Sequence, residues 1–416
     1  MTGARDEVAH LAGLLVGSAI WARGECTWVG PVVPEVGTSS LPFASSRALG
    51  PWIYDGAAGV ALFLSDVAIA LRDPDAERTA IAAATYALRV ARARVRAGNA
   101  MLHWGFYAGN VGTCWAAHRI ADAHGAADLR RNAIGLLDEV RSKSVPWERD
   151  DLITGRAGTL LALTDLAHRG HEGSARLAGE VGDALVADAR VRGETASWSN
   201  GGGDNLMHLT GLSHGNAGIA LALDQLGRLT GEARYEETAR AAVAYEREHF
   251  DEEQQNWRDL RALRPGARRI CATAWCHGAP GIGLARARMS VRDARTQAEV
   301  RVALRTTLDA LQRFGDAPGS DLTLCHGGLG LADCAFEMAR DLGDERALAA
   351  VRRWVDEQVE RFAGQDADVA GLSGWPTGVF YHPSLSLLTG IAGIGHALLR
   401  VSEPTIPTLL APRALA

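Results

Sequence analysis

Two Cys-His pairs, Cys276-His277 in AWCHGAPG and Cys325-His326 in LCHGGLG, stand in the same position relative to a following glycine. A third HG step, His214-Gly215 in SHGNAG, falls in the same register. Thiolate sulfur and imidazole nitrogen are donors that zinc prefers. If equivalent positions of consecutive repeats lie side by side, two thiolates and at least one imidazole converge. Ligation by both histidines gives a closed Cys2His2 site. Ligation by one leaves a fourth position open for water or substrate, as catalytic zinc requires. The spacing leaves both arrangements open. His214 stands at the mouth of a helix, where an imidazole is placed to exchange a proton near neutral pH. WERDDLITGRAG sets Asp150 and Asp151 just before another glycine step. Two adjacent acids cannot both face one site, so one faces water while the other looks inward or caps the helix.

These residues sit on a Gly-x-x-Gly step that occurs seven times: DGAAG, AGNVG, TGRAG, HGNAG, HGAPG, HGGLG and TGIAG. Successive steps lie roughly 45–65 residues apart, the spacing of repeated supersecondary units. Each opens an Ala- and Gly-rich run such as GVALFLSDVAIAL, apolar on most sides as a helix buried on every face would be. Between the runs lie charged segments of helical period, among them DAERTAIAAATYALRVARARVRAG and DERALAAVRRWVDEQVERF. Outer helix, loop, glycine step and inner helix, repeated seven times, predict an all-α fold, an α/α toroid in which two rings of helices enclose a core. Strand signals are nearly absent. The loops before the glycine steps gather at one end of the ring, and a site is expected there.

The evenly spaced repeat, with no linker or low-complexity tract, predicts one domain over residues 1–416. A formal charge of -6 gives no nucleic-acid footprint. No stretch is apolar for the roughly 18–20 residues of a membrane span, and the N-terminus lacks the order of a signal peptide. A cytoplasmic location is expected. Six cysteines in so long a chain do not form a disulfide framework. Cys26, Cys114 and Cys334 read as core residues, and Cys271 lies close to the site. Asp55 and His103, near the functional end, read as structural. The run Arg258, Arg261, Arg264, Arg268 and Arg269 leads into the metal slot and could grip an acidic peptide. Trp375, Phe380, Tyr381 and His382 either line the cavity mouth or pack a long loop. The Pro-broken tail EPTIPTLLAPRALA reads as a loose terminal segment.

SHGNAGIALAL, AWCHGAPGIGLARA, LCHGGLGLAD and PSLSLLTGIAGIGHALLR together resemble the lanthionine cyclase (LanC-like) family, and most closely the C-terminal cyclase domain of class II lanthionine synthetases. The resemblance spans nearly the whole chain. It implies a zinc-dependent toroid acting on precursor peptides, leader plus core, that carry dehydroalanine or dehydrobutyrine. It assigns Cys276, Cys325 and His326 as zinc ligands and His277 as a neighbour. It assigns His214 as the catalytic histidine and Asp151 as the acid before the DL-I-x-G step. The implied reaction is Michael-type addition of a cysteine thiolate to the dehydroamino acid, giving a lanthionine or methyllanthionine thioether, with His214 protonating the α-carbon and Asp151 orienting it. The chain departs from the pattern at Ala272, where many relatives carry arginine; Arg268 or Arg269 are the expected substitutes. No dehydratase or kinase segment is present, so dehydration is expected from a separate protein, the chain being either a stand-alone cyclase or a piece of a larger synthetase.

Two other classes compete. A protein prenyltransferase, also a zinc-bearing α/α toroid, needs an isoprenoid diphosphate site and an aspartate ligand, which the CHG pairs fit poorly. A non-catalytic zinc-stabilised scaffold that binds a peptide or thiol has no use for an HG step in the neighbouring repeat.

Overall fold

The computed structural model describes the chain except for residues 1, 32–45, 100–102, 144, 200–207, 263–269, 291, 315–320, 365–373, 378–383 and 413–416. Among the described residues there are fourteen α-helices: α1 (Thr2–Ser18), α2 (Ala57–Leu71), α3 (Pro74–Arg96), α4 (Asn110–His124), α5 (Ala127–Ser142), α6 (Arg156–His168), α7 (Glu172–Ala187), α8 (Asn216–Thr230), α9 (Ala233–Arg247), α10 (Ala279–Arg288), α11 (Ala294–Gln312), α12 (Gly328–Leu342), α13 (Glu345–Phe362) and α14 (Ile391–Ser402). The even-numbered helices pack in a closed inner ring, each touching the next and α14 touching α2. Each is paired with an outer helix, and α1 serves α14, so the first helix completes the last hairpin. The expected α/α toroid is the observed architecture.

Composition separates the two rings. Inner helix α2 is buried continuously from Ala57 to Ala68, whereas outer helix α3 buries only a stripe that includes Ala80, Ala84, Ala87, Ala91 and Val95. Three outer helices, α3, α11 and α13, are capped by the side chains of Asp73, Asp293 and Asp344. Every inner helix instead has the first glycine of its step at the N-cap, with no side-chain cap. Outside α10, free N–H groups of the inner helices are taken by carbonyls seven residues upstream: Gly59 N donates to Trp52 O, Gly158 N to Asp151 O and Gly330 N to Thr323 O. This curl of the loop over the helix end explains the second glycine. A Cβ at Gly281 would meet Trp275 O at 2.0 Å, and the other six second glycines face the equivalent carbonyl at 1.6–2.3 Å.

The seven loops are joined head to tail by main-chain hydrogen bonds. Leu388 N donates to Tyr54 O, Tyr54 N to Tyr107 O, Ala108 N to Ile153 O, Leu152 N to Ser213 O, Ser213 N to Cys276 O and Cys325 N to Leu388 O. Among the described residues one link of this belt has no main-chain bond, the junction between Cys276 and Cys325.

Two expectations need correction. Among the described residues there are four antiparallel two-stranded sheets: β1 (Ile20–Ala22) with β2 (Glu25–Thr27), β3 (Val29–Pro31) with β4 (Ser46–Ala48), β5 (Arg190–Arg192) with β6 (Thr195–Ser197), and β7 (Phe250–Asp251) with β8 (Asn256–Trp257). Their strands of two or three residues are too short to print a period-2 pattern. Over its described residues, 403–412, the terminal segment is not loose. Thr408, Leu409, Leu410 and Ala411 are buried. Tyr107 Oη donates to Leu409 O at 2.7 Å, Trp275 Nε1 to Leu410 O at 2.9 Å and Gln225 Nε2 to Pro412 O at 3.1 Å. Three inner-ring repeats thus hold this segment as a plug in the centre.

Candidate metal centre and proton-transfer dyad

The gap in the belt is where the donors gather. Cys276 Sγ, Cys325 Sγ and a ring nitrogen of His326 all lie within 4.8 Å of one another. Both thiols are buried, and His326 is exposed toward the ring mouth. His326 Nε2 is 3.4 Å from Cys325 Sγ. Zn–S bonds of about 2.3 Å and Zn–N bonds of about 2.0–2.1 Å in a tetrahedron need ligand atoms slightly under 4 Å apart. Small side-chain adjustments reach that geometry, and two sulfurs with one nitrogen are a zinc donor set. The residues present fit the ion. The pair's electrostatics agree, because a hydrogen bond from Cys325, then one from His326, pulls the Cys276 thiol down to about 4. Burial, and then the Cys276 sulfur beside it, push the Cys325 thiol well up. The hydrogen bond to Cys276 also raises His326 above its ordinary value.

The loop that carries Cys276 is built differently from the other six. Gly278, the N-cap of α10, has φ +79°, and a Cβ there would meet Ala272 O at 1.8 Å. Asn256, on β8, inserts its side chain beneath this turn. Its Oδ1 accepts from Ala279 N at 2.7 Å and from Trp257 N at 2.8 Å, while Nδ2 donates to Ala272 O and to Thr273 Oγ1, both at 3.1 Å. The amide therefore replaces the upstream carbonyl that caps other inner helices.

Beside the cluster, His214 Nδ1 is 2.8 Å from Asp151 Oδ2. The other carboxylate oxygen, Oδ1, accepts from Thr154 N at 2.7 Å and Thr154 Oγ1 at 3.1 Å. Asp151 is buried, and Asp150 turns away to pair with Arg156 at 2.5 Å. The His214 ring is 6.0 Å from the His277 ring, centroid to centroid. Burial holds the His277 imidazole below its usual range.

The remaining candidates divide. His103 is buried with Nε2 2.9 Å from Val140 O, and Cys26, Cys114 and Cys334 are buried core thiols, all as expected. Asp55 precedes the first glycine step and its carboxyl is raised by burial, against the opposing charge of Arg47. Arg261 pairs with Asp259 at 2.6 Å and interacts electrostatically with Cys276 and Cys325. It brings a positive charge to the cluster that Ala272 does not. Arg258 lies 3.6 Å from Asp251. Arg264, Arg268, Arg269, Phe380, Tyr381 and His382 lie outside the described residues. Trp375 does not line the mouth; it is buried and donates to Glu7 on α1 at 2.7 Å. Sequence reasoning missed Asn256, and it missed Tyr54, whose hydroxyl donates to Cys325 Sγ at 3.0 Å. The one available signal for Tyr54 was its position, two residues before a first glycine, which is also that of Cys325.

Residues 48–415 match the family profile described as lanthionine synthetase C-like protein. A search of curated proteins by sequence found no significant match. Among solved structures, nisin cyclase superposes over 85% of this chain and 89% of its own, at 17% identity and a TM-score of 0.60. An unsaturated glucuronyl hydrolase from Bacillus sp. GL1 (13% identity, 97% of both chains) and a sugar epimerase from a ruminal bacterium (10%, 74% of this chain and 88% of that one) reach TM-scores of only 0.45, too low for inference about this chain. The profile takes in all seven glycine steps and the loops bearing the clustered cysteines, and by it the chain belongs to the lanthionine synthetase C-like family.

Proposed function

We propose that this chain is a zinc-dependent lanthipeptide cyclase. Its substrate is a dehydrated precursor peptide, leader plus core, whose cysteine thiols add to dehydroalanine or dehydrobutyrine to give lanthionine or methyllanthionine rings. The observation that carries this reading is the convergence of Cys276, Cys325 and His326 at the ring end where His214 meets Asp151. In the same reading the chain is a single cytoplasmic domain, and a separate dehydratase or kinase-lyase supplies the dehydrated peptide. Among the described residues no helix is long and apolar enough to cross a membrane.

Cys276, Cys325 and His326 would hold a zinc ion, whose Lewis acidity would keep a substrate thiol deprotonated at neutral pH. The remaining work falls to the protein. The S–Cβ bond forms while the Cα=Cβ electron pair moves toward the neighbouring carbonyl, and a proton then adds at Cα. One proton leaves sulfur and one arrives at carbon, so linear peptide and ring are isomers. His214 delivers the second proton. Asp151 accepts from Nδ1–H, which leaves Nε2 as the delivering atom, and its negative charge stabilises the imidazolium. Asp151 is itself fixed by the two Thr154 bonds, so the imidazole is oriented before substrate arrives.

Zinc analysis together with thiol alkylation of a dehydrated precursor peptide tests the reading. The wild type should hold about one zinc, lose it with Cys276→Ala, Cys325→Ala or His326→Ala, keep it with His277→Ala, and consume peptide thiols. Loss of metal with His277→Ala but not His326→Ala would overturn the ligand assignment. Bound zinc with unreacted thiols would leave a non-catalytic peptide- or thiol-binding scaffold.

A further inference from the structure

We infer that Tyr54 is a positioning residue for the metal centre, its hydroxyl holding Cys325 by an O–H···S hydrogen bond. The inference rests on the metal reading above. Tyr54 is fixed at both main-chain atoms by the belt, its N donating to Tyr107 O at 2.8 Å and its O accepting from Leu388 N at 3.0 Å. Leu388 in turn accepts from Cys325 N at 2.9 Å. Tyr54 and Cys325 are therefore two repeats apart on one hydrogen-bonded track, and the tyrosine side chain spans the repeat between them. Its Oη reaches Cys325 Sγ at 3.0 Å.

A donor to a ligand sulfur does two things. It fixes the side-chain rotamer before the ion arrives, and it withdraws charge from the thiolate, leaving a bound metal more electrophilic. Tyr107 provides an internal comparison. It occupies the same position in the next repeat, but its Oη goes to Leu409 O and touches no ligand. The two tyrosines share a place in the belt and differ in what the hydroxyl holds.

The test is cobalt(II) substitution, read by the thiolate-to-metal charge-transfer absorption, with zinc affinity from chelator competition. Tyr54→Phe should shift that absorption to lower energy and weaken zinc binding by about tenfold or more, with the metal-free protein melting as the wild type does. Tyr107→Phe should leave both metal readouts unchanged. Tyr54→Met serves as the second variant should the phenyl ring repack. Absorption and affinity equal to wild type in a folded Tyr54 variant overturn the inference, as does an equal response from Tyr107→Phe. A wild type that takes up neither cobalt nor zinc removes the metal reading and this inference with it, an outcome distinct from unaltered binding in the variant.

Discussion

His214 Nδ1 and Asp151 Oδ2 meet at 2.8 Å although 63 residues separate them. The neighbouring main chain brings them together, because Leu152 N donates to Ser213 O at 2.9 Å, locking the two loops in register one residue away on each side. The carboxylate divides its oxygens between two tasks. Oδ1 closes the turn onto Thr154, and Oδ2 faces the imidazole.

That division separates folding from catalysis. Asp151→Asn retains an acceptor oxygen for Thr154 but can present an N–H to Nδ1, favouring the wrong tautomer and removing the charge that stabilises the imidazolium. Turnover of a dehydrated peptide should fall by about 10²–10⁴. Zinc content and thermal stability should stay near wild type, because no metal ligand is touched. Single-turnover cyclisation followed by thiol alkylation measures the loss.

The glycine steps make a second test. Gly281→Ala drives a Cβ onto Trp275 O, a main-chain atom that cannot swing aside, at 2.0 Å. The displaced loop carries Cys276, so zinc affinity and stability should fall together. Gly13 lies exposed in outer helix α1 with nothing within 4 Å of its would-be Cβ, and Gly13→Ala should raise stability by about 0.5–1 kcal/mol. Chemical denaturation of both variants, with zinc titration of the first, checks the contrast.

This contrast also shows what a sequence can carry. The ring was legible because at all seven inner helices the second glycine meets an upstream carbonyl too closely for a Cβ, and that close approach leaves a mark in the sequence. Cys276 and Cys325 were legible as a pair because equal positions in the repeat become neighbours in space, whereas the choice of His326 over His277 came from the family resemblance. The side-chain partners were not. Tyr54 reaches across a whole repeat, and Asn256 enters the Cys276 loop from a hairpin too short to register. Among the described residues Arg261 brings charge to the cluster; Arg268 and Arg269 lie outside them. The Pro-broken terminal segment carries no periodicity, because its burial depends on a hole that seven other segments create.

Buried histidines set the acid side of the stability profile. Burial lowers the pKa of His103, and His118 and His249 shift the same way for the same reason. The unfolded chain therefore binds protons that the native state resists. Stability from these groups is present above about pH 6.5, the unfolded value, and is lost as pH falls below it toward the folded values. His103→Gln keeps an N–H for Val140 O but cannot titrate, so its melting temperature should drop less steeply from neutral to mildly acidic pH. Thermal unfolding across that range in both proteins reads the difference.

The central plug yields the final prediction. Thr408 Oγ1 donates to Asp333 Oδ2 at 2.5 Å and accepts from Leu410 N at 3.0 Å, all three groups being buried. Asp333 also pairs with Arg400, so the hydroxyl completes the shell of a buried carboxylate. Thr408→Val preserves shape while leaving both a carboxylate oxygen and a main-chain N–H without this partner. Burying such groups unsatisfied costs about 1–3 kcal/mol. Thr405, three residues earlier, is exposed, and Thr405→Val should change stability by less than about 0.5 kcal/mol. Denaturant unfolding of both variants tests this contrast. A Thr408→Val protein as stable as wild type would mean that the segment merely fills space.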